Sequence, residues 1–186
     1  GRDMVVSIPT MATDDYITNL ANLIKYGYDA NGTPCTSPTA NPVHPGLNPN
    51  LHVYLELENE LWNSGGPFGV DYRNIDAMVS AHQANNDADW QMISYDGTTA
   101  IGTTRFRMIM LRMIQASNTF RTVFGDSAMP DAGTVDARIR PLYDWQYDNG
   151  NDSARWALTW ADNYFNDADG GSHVATPHPV TYFIWC

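Results

Sequence analysis

The chain opens on a short apolar run, Met4-Val5-Val6-Ser7-Ile8, closed by Pro9, which is the pattern of a buried strand. Behind it Tyr16, Ile17, Leu20, Leu23 and Ile24 recur at helical spacing. Thr13 stands where an N-cap is needed, Asp14 and Asp15 suit the positive end of the helix dipole, and Lys25 with Gly27 marks the end. Residues 29–49 hold Pro, Thr, Asn and Gly without periodicity and predict an irregular loop. Across 51–57, Val53, Leu55 and Leu57 alternate with Tyr54 and Glu56, so a second strand presents one apolar face. Glu58 and Glu60 continue the polar parity.

Asn63-Ser64-Gly65-Gly66-Pro67 reads as a turn, after which Tyr72, Ile75, Met78, Val79 and His82 return to helical spacing. Residues 85–99 are polar and predict an irregular insertion. A strong amphipathic helix carries Phe106, Ile109, Met110, Met113, Ile114, Phe120, Val123 and Phe124 on its apolar face and stops at Gly125. After a loop, Ala137 to Tyr143 predicts a third strand, in which Pro141 removes one ladder hydrogen bond. Ser153 can cap a helix faced by Trp156, Ala157, Trp160, Ala161, Tyr164 and Phe165, and Val180 to Trp185 is an aromatic, β-branched strand. Strands alternating with helices argue an α/β fold with a parallel sheet and right-handed crossovers. This pattern alone leaves a barrel and a doubly wound sheet both open.

Composition narrows the partners more than the fold. Ten basic residues against 21 acidic ones give a net charge of −11, which repels a phosphate backbone and an anionic membrane surface. Lys25 is the only lysine, so no lysine-rich patch exists to offset that field. Neither nucleic acid nor a membrane is an expected partner. No apolar run reaches the length of a membrane span, and no basic segment leads into an apolar one at the start. Cys35 and Cys186 are the only cysteines, and the sequence does not pair them. Both ends interrupt apolar patterning, so the chain is expected to be one incomplete domain, 1–186.

The chemistry concentrates in Val53-Tyr54-Leu55-Glu56-Leu57-Glu58-Asn59-Glu60-Leu61-Trp62-Asn63. Three carboxylates lie where a strand gives way to a Gly-rich turn, and in α/β folds that carboxyl edge is where ligands bind. Crowded, half-buried carboxyls repel one another's ionisation, and a carboxyl that keeps its proton near neutrality is what a general acid requires. A strand whose outer face is solvated by Glu would give the same pattern.

The run from Glu56 to Asn63 resembles the Asn-Glu motif ending the fourth strand of retaining glycoside hydrolases of the clan A (β/α)8 superfamily. It is most similar to bacterial members with a motif of the form Glu-x-x-Asn-Glu-x-Trp-Asn. Ile8-Pro9 with Asp14-Asp15-Tyr16 and the helix to Ile24 resembles the third strand and helix of that family. Val123-Phe124-Gly125 and Arg138 to Gln146 resemble the approach to the fifth strand and its end. The resemblance implies a partial (β/α)8 TIM barrel covering about strands 3–6. It also implies that Glu60 is the general acid/base and that Asn59 hydrogen-bonds the sugar hydroxyl beside the anomeric carbon. Glu56, Glu58, Trp62, Trp145 and Gln146 are the further expected substrate-binding residues, with Pro9 at the rim.

Glu58 departs from the family, which usually carries a small residue there, and that bears on activity rather than on fold. The family's nucleophile ends its seventh strand, beyond this chain, and none of Asp144, Asp148 or Asp152 replaces it by motif. The parent is thus expected to be a glycosidase acting on polysaccharide or oligosaccharide outside the cytoplasm or at the cell surface, and this stretch alone to be inactive. The alternative is a non-catalytic carbohydrate-binding or structural protein derived from such a barrel. A carbohydrate is the expected partner, with no cofactor and no metal.

The remaining candidates read as structure. His44, His52, His82, His173 and His178 show no zinc spacing, and the Asp-rich turns at 148–152 and 167–170 lack the full calcium ligand set. Trp156, Trp160, Tyr164 and Phe165 sit at the spacing of a helix face packed on a sheet. Asn31-Gly32-Thr33 and Asn151-Asp152-Ser153 match the N-glycosylation pattern, which has meaning only in a secreted eukaryotic protein.

Overall fold

Capping and burial build the first unit as its sequence suggests. The structure is a computed structural model and describes residues 1–40, 42–130, 136–145, 152–175 and 183–185. Strand β1 (Met4–Ile8) is followed by helix α1 (Asp14–Tyr26), whose first turn is closed by Thr13: its hydroxyl accepts from the Tyr16 N–H at 3.2 Å. Gly27 ends the helix at φ 81°. The returning segment passes so close that a Cβ there would lie 1.9 Å from the His44 carbonyl oxygen, which only glycine permits.

Strand β2 (Val53–Leu57) leads through a 3₁₀ turn into α2 (Gly69–Asn85), and α4 (Ile101–Phe124) is the long helix at the centre of the helical layer. Between these two helices the irregular insertion expected over 85–99 contains a further helix, α3 (Ala88–Ile93). Asp87 caps it by accepting from the Trp90 N–H at 3.1 Å, and Trp90 and Ile93 are buried. Too few apolar residues stand in this stretch to show a period, but two anchored side chains and one cap suffice for a short helix. Strand β3 (Ile139–Asp144) includes Pro141, and α5 (Asp152–Asn166) begins one residue before the expected cap Ser153. Of the last predicted strand, β4 (Phe183–Trp185) is described, while Val180 to Tyr182 lie outside the described residues.

Among the described residues the four strands of the sheet pair in parallel and in sequential order, β1-β2-β3-β4. Right-handed crossovers between neighbours taken in sequence stack their helices on one face. Burial agrees: Val53, Leu55, Leu57, Ile8 and Ile139 share one face by register and are buried. On the other face Val5 is 60% exposed, and Ser7 is exposed too. Helix α4 packs on β2, β3, α1, α2 and α5 and carries the fully buried Met108, Met110 and Phe120.

The partial TIM barrel expected from the family resemblance is corrected by this topology. Among the described residues the strands form a small open sheet with β1 and β4 at opposite edges, and no barrel is formed. Alternating strands and helices specify parallel pairing and crossovers. Closure needs a full ring of strands with matched tilt and shear, which no local pattern encodes. The doubly wound alternative requires a reversal of strand order, which the sequential order of the described strands lacks.

Candidate functional site

Parallel strands put every carboxyl end on one edge, so the residues after Ile8, Leu57 and Tyr143 meet there. Glu56 lies within β2, opposite Ser7 of β1, and accepts a hydrogen bond from the Ser7 hydroxyl. The alternation then stops. Glu58 (φ 52°) and Glu60 (φ 55°) both adopt left-handed backbone, a conformation that strains an L-residue and is kept where surrounding contacts impose it. The parity expected to carry all three carboxylates on one strand face is thus broken after Leu57, and each carboxyl is held by different partners.

Glu58 turns toward β1 and α2. Its Oε1 accepts from the Thr10 N–H at 3.2 Å, while the Thr10 hydroxyl donates to Asp71 Oδ1 at 3.2 Å and the Asn74 amide donates to the same oxygen at 3.3 Å. Thr10 is buried. Burial first, and then the charges of Asp71 and Glu56, raise the Glu58 carboxyl above the ordinary range against the opposing Thr10 N–H. Glu60 accepts from the Asn63 side-chain amide at 3.0 Å, and its carbonyl accepts the Asn63 N–H at 2.8 Å. Asn63 also accepts from the Gly65 N–H at 2.9 Å, so the Gly-rich turn fixes the orientation of the amide that meets Glu60. Asn59, between the two strained residues, is exposed.

The neighbouring strand supplies a carboxyl that sequence reasoning set aside. Asp144 ends β3, on the face shared by Glu56 when the Leu55–Pro141 register is continued. Its pKa is pushed up to about 7, first by burial and then by the charges of Glu56 and Glu60. Motif matching passed over Asp144. Its place as the last residue of an apolar strand was the available signal, because that is where ligand-binding residues of α/β sheets stand. Asp71 and Thr10 had no such signal, since α2 is brought to Thr10 only by folding.

The aromatic residues are placed differently. Trp62 is half-buried with its ring 6.0 Å from that of Trp145. Trp145 is buried, stacked on Tyr143 at 5.6 Å and meeting the edge of Phe106 at 5.0 Å, so it belongs to the layer beneath the site. Gln146 lies outside the described residues, as do Asp148 and Cys186. Among the described residues no group of three His, Cys, Asp or Glu side chains is arranged to hold a metal ion.

The site thus combines Asp144, pushed up to about 7, with Glu56 and Glu60 one strand away and with Glu58, whose carboxyl is raised by burial, at the edge of a sheet and beside the exposed Asn59. Such a set can donate to hydroxyls, accept from them, and move a proton between solvent and a bound oxygen. No family model matches the chain, and neither a curated protein nor a solved structure matches it.

Proposed function

We propose that the carboxyl edge of this sheet is the site of a glycoside hydrolase, with Glu60 as general acid/base. The observation that carries this reading is the meeting of Asp144, pushed to about 7, with Glu56 and Glu60 at adjacent strand ends. Glycosidic cleavage needs a carboxyl that gives a proton to the leaving oxygen and a carboxylate beside the sugar ring, in an environment that holds the two in different protonation states. Asn63 holds the Glu60 carboxyl in one orientation. Asn59, exposed at the apex of the turn, presents its amide to a sugar hydroxyl. Asp144, pushed up to about 7 by burial and by the charges of Glu56 and Glu60, serves as a hydrogen-bond donor to the substrate, while burial and the charges of Asp71 and Glu56 raise the Glu58 carboxyl. A carbohydrate polymer outside the cytoplasm is the substrate class that goes with this reading.

The test is kinetic and uses the full-length protein, on polysaccharides and on aryl glycosides with good and poor leaving groups. Loss of the acid in Glu60→Gln is expected to lower kcat/KM on poor leaving groups by about 10²–10⁴, the usual contribution of general acid catalysis. An activated aryl leaving group departs without a proton, so its glycosylation step falls much less. A protein that binds the sugars without cleaving them is instead a carbohydrate-binding module built on the same edge. Equal losses on both classes of leaving group remove Glu60 from the acid role.

A further inference from the structure

Away from the carboxyl edge, a cavity of about 240 Å³ lies between the turn after α3, the N-terminal half of α4, and α5. Tyr95, Asp96, Arg107, Arg155, Trp156, Thr159, Trp160 and Asn163 line it. None of these residues contributes to the carboxylate site. The space has room for one six-membered ring with its hydroxyls.

The chemistry of the lining restricts what fits. Arg107 is buried and donates to both oxygens of Asp96, at 2.8 and 2.7 Å, and to the Ile93 carbonyl at 2.8 Å. The guanidinium holds the Asp96 carboxyl far below the usual range, and the Thr98 N–H donates to it at 3.0 Å. This pair is rigid and internally neutralised, so the pair itself draws neither an anion nor a cation, and an apolar guest would leave it unsolvated; Arg155, exposed on α5 and itself engaged, is the remaining charge of the lining. Trp156 is half-buried and offers an indole surface, with the Thr159 hydroxyl and the Asn163 amide further along the same helix. The Asn163 amide also meets the Tyr95 hydroxyl. A hydroxyl both donates and accepts, so one neutral polyhydroxylated ring can satisfy Asp96, Thr159 and Asn163 together. Its C–H face can then lie on Trp156.

We propose that this cavity is a second carbohydrate site, taking a single neutral pyranose independently of the carboxyl edge. It would hold a substrate chain or a free sugar against the outer helical layer.

The probes are the methyl glycosides of glucose, galactose and xylose, with methyl glucuronide as the charged comparator, titrated into the full chain by ligand-observed NMR and tryptophan fluorescence. At least one neutral glycoside is expected to bind in the millimolar range. Trp156→Ala is expected to weaken that binding by about tenfold or more, equivalent to about 1.4 kcal/mol. Because Trp156 also packs on Phe106, Thr159→Phe provides a second variant: Thr159 is exposed on α5, so the larger ring fills the cavity without disturbing the core. It should abolish binding while leaving the Glu60-dependent reaction unchanged. Glu60→Gln should leave binding at this cavity intact, which separates failure of this proposal from failure of the hydrolase reading. No binding of any neutral glycoside, binding lost in Glu60→Gln but kept in Thr159→Phe, or a preference for the glucuronide each overturns it.

Discussion

Asp144 gives the sharpest test of the electrostatics, because removing its charge should stabilise the protein in one pH range and not in another. Burial, with the charges of Glu56 and Glu60 added, moves its pKa from the ordinary 3.8 to about 7. A difference of about 3 in pKa corresponds to about 4 kcal/mol. Asp144 is only partly buried, and solvent screening brings the expected effect to about 2 kcal/mol. The sign follows from proton counting. Below pH 3.8 the carboxyl is protonated both folded and unfolded and costs nothing. Between there and about 7 the unfolded chain has released the proton while the folded one retains it, so stability falls as pH rises. Above that range the full cost is present. Asp144→Asn does not titrate, so its advantage over the parent should grow by about 2 kcal/mol between acid and mildly alkaline pH, or about 4–8 °C in Tm for a chain of this size. Urea unfolding of both proteins, measured at a series of pH values across this range, reads the difference directly. A difference that stays constant with pH, or shrinks as pH rises, refutes the claim that Asp144 holds its proton in the folded state.

Three further perturbations probe other parts of the structure. Asp96→Ala leaves the buried Arg107 guanidinium with the Ile93 carbonyl alone and should cost about 2 kcal/mol at neutral pH. Arg107 depresses the Asp96 pKa, so this contribution is present above the ordinary carboxylate range and disappears as pH falls below it, which thermal melts at neutral and strongly acid pH will show. At position 60, Gly and Ala both remove the carboxyl, but only Gly tolerates the left-handed backbone without strain. Glu60→Gly should therefore be more stable than Glu60→Ala by about 1 kcal/mol in denaturant unfolding, and the opposite order contradicts the turn described for this residue. For Glu60→Gln, the kinetic losses set out above should come with little change in the unfolding midpoint, which separates a chemical role from a structural one.

Local patterns decided much of what the molecule is. Alternation in Val53 to Leu57, the helical spacing from Tyr16 to Ile24 and from Phe106 to Phe124, and the stops at Gly27 and Gly125 follow from side-chain period and backbone sterics. These act over a few residues and need no knowledge of the fold. The parallel sheet follows too, since strands separated by helices have few other ways to pair. The acidic segment from Glu56 to Glu60 was visible as a candidate because its position at a strand end is itself a local property.

Only the tertiary structure decided the rest. Whether strands belong to a barrel depends on the sum of strand tilts and registers, so the expected partial barrel gave way to a small open sheet among the described residues. Glu58 and Glu60 left the strand parity because Thr10 and Asn63 hold them in left-handed backbone. Asp144 joined the site across 84 residues of chain from Glu60, because parallel pairing brings strand ends together whatever their separation in sequence. The proton affinity of Asp144 belongs to no sequence position. It arises from burial and from charges that meet only when β2 and β3 lie side by side, and so the sequence determined which acids exist while the packing determined which of them keep a proton.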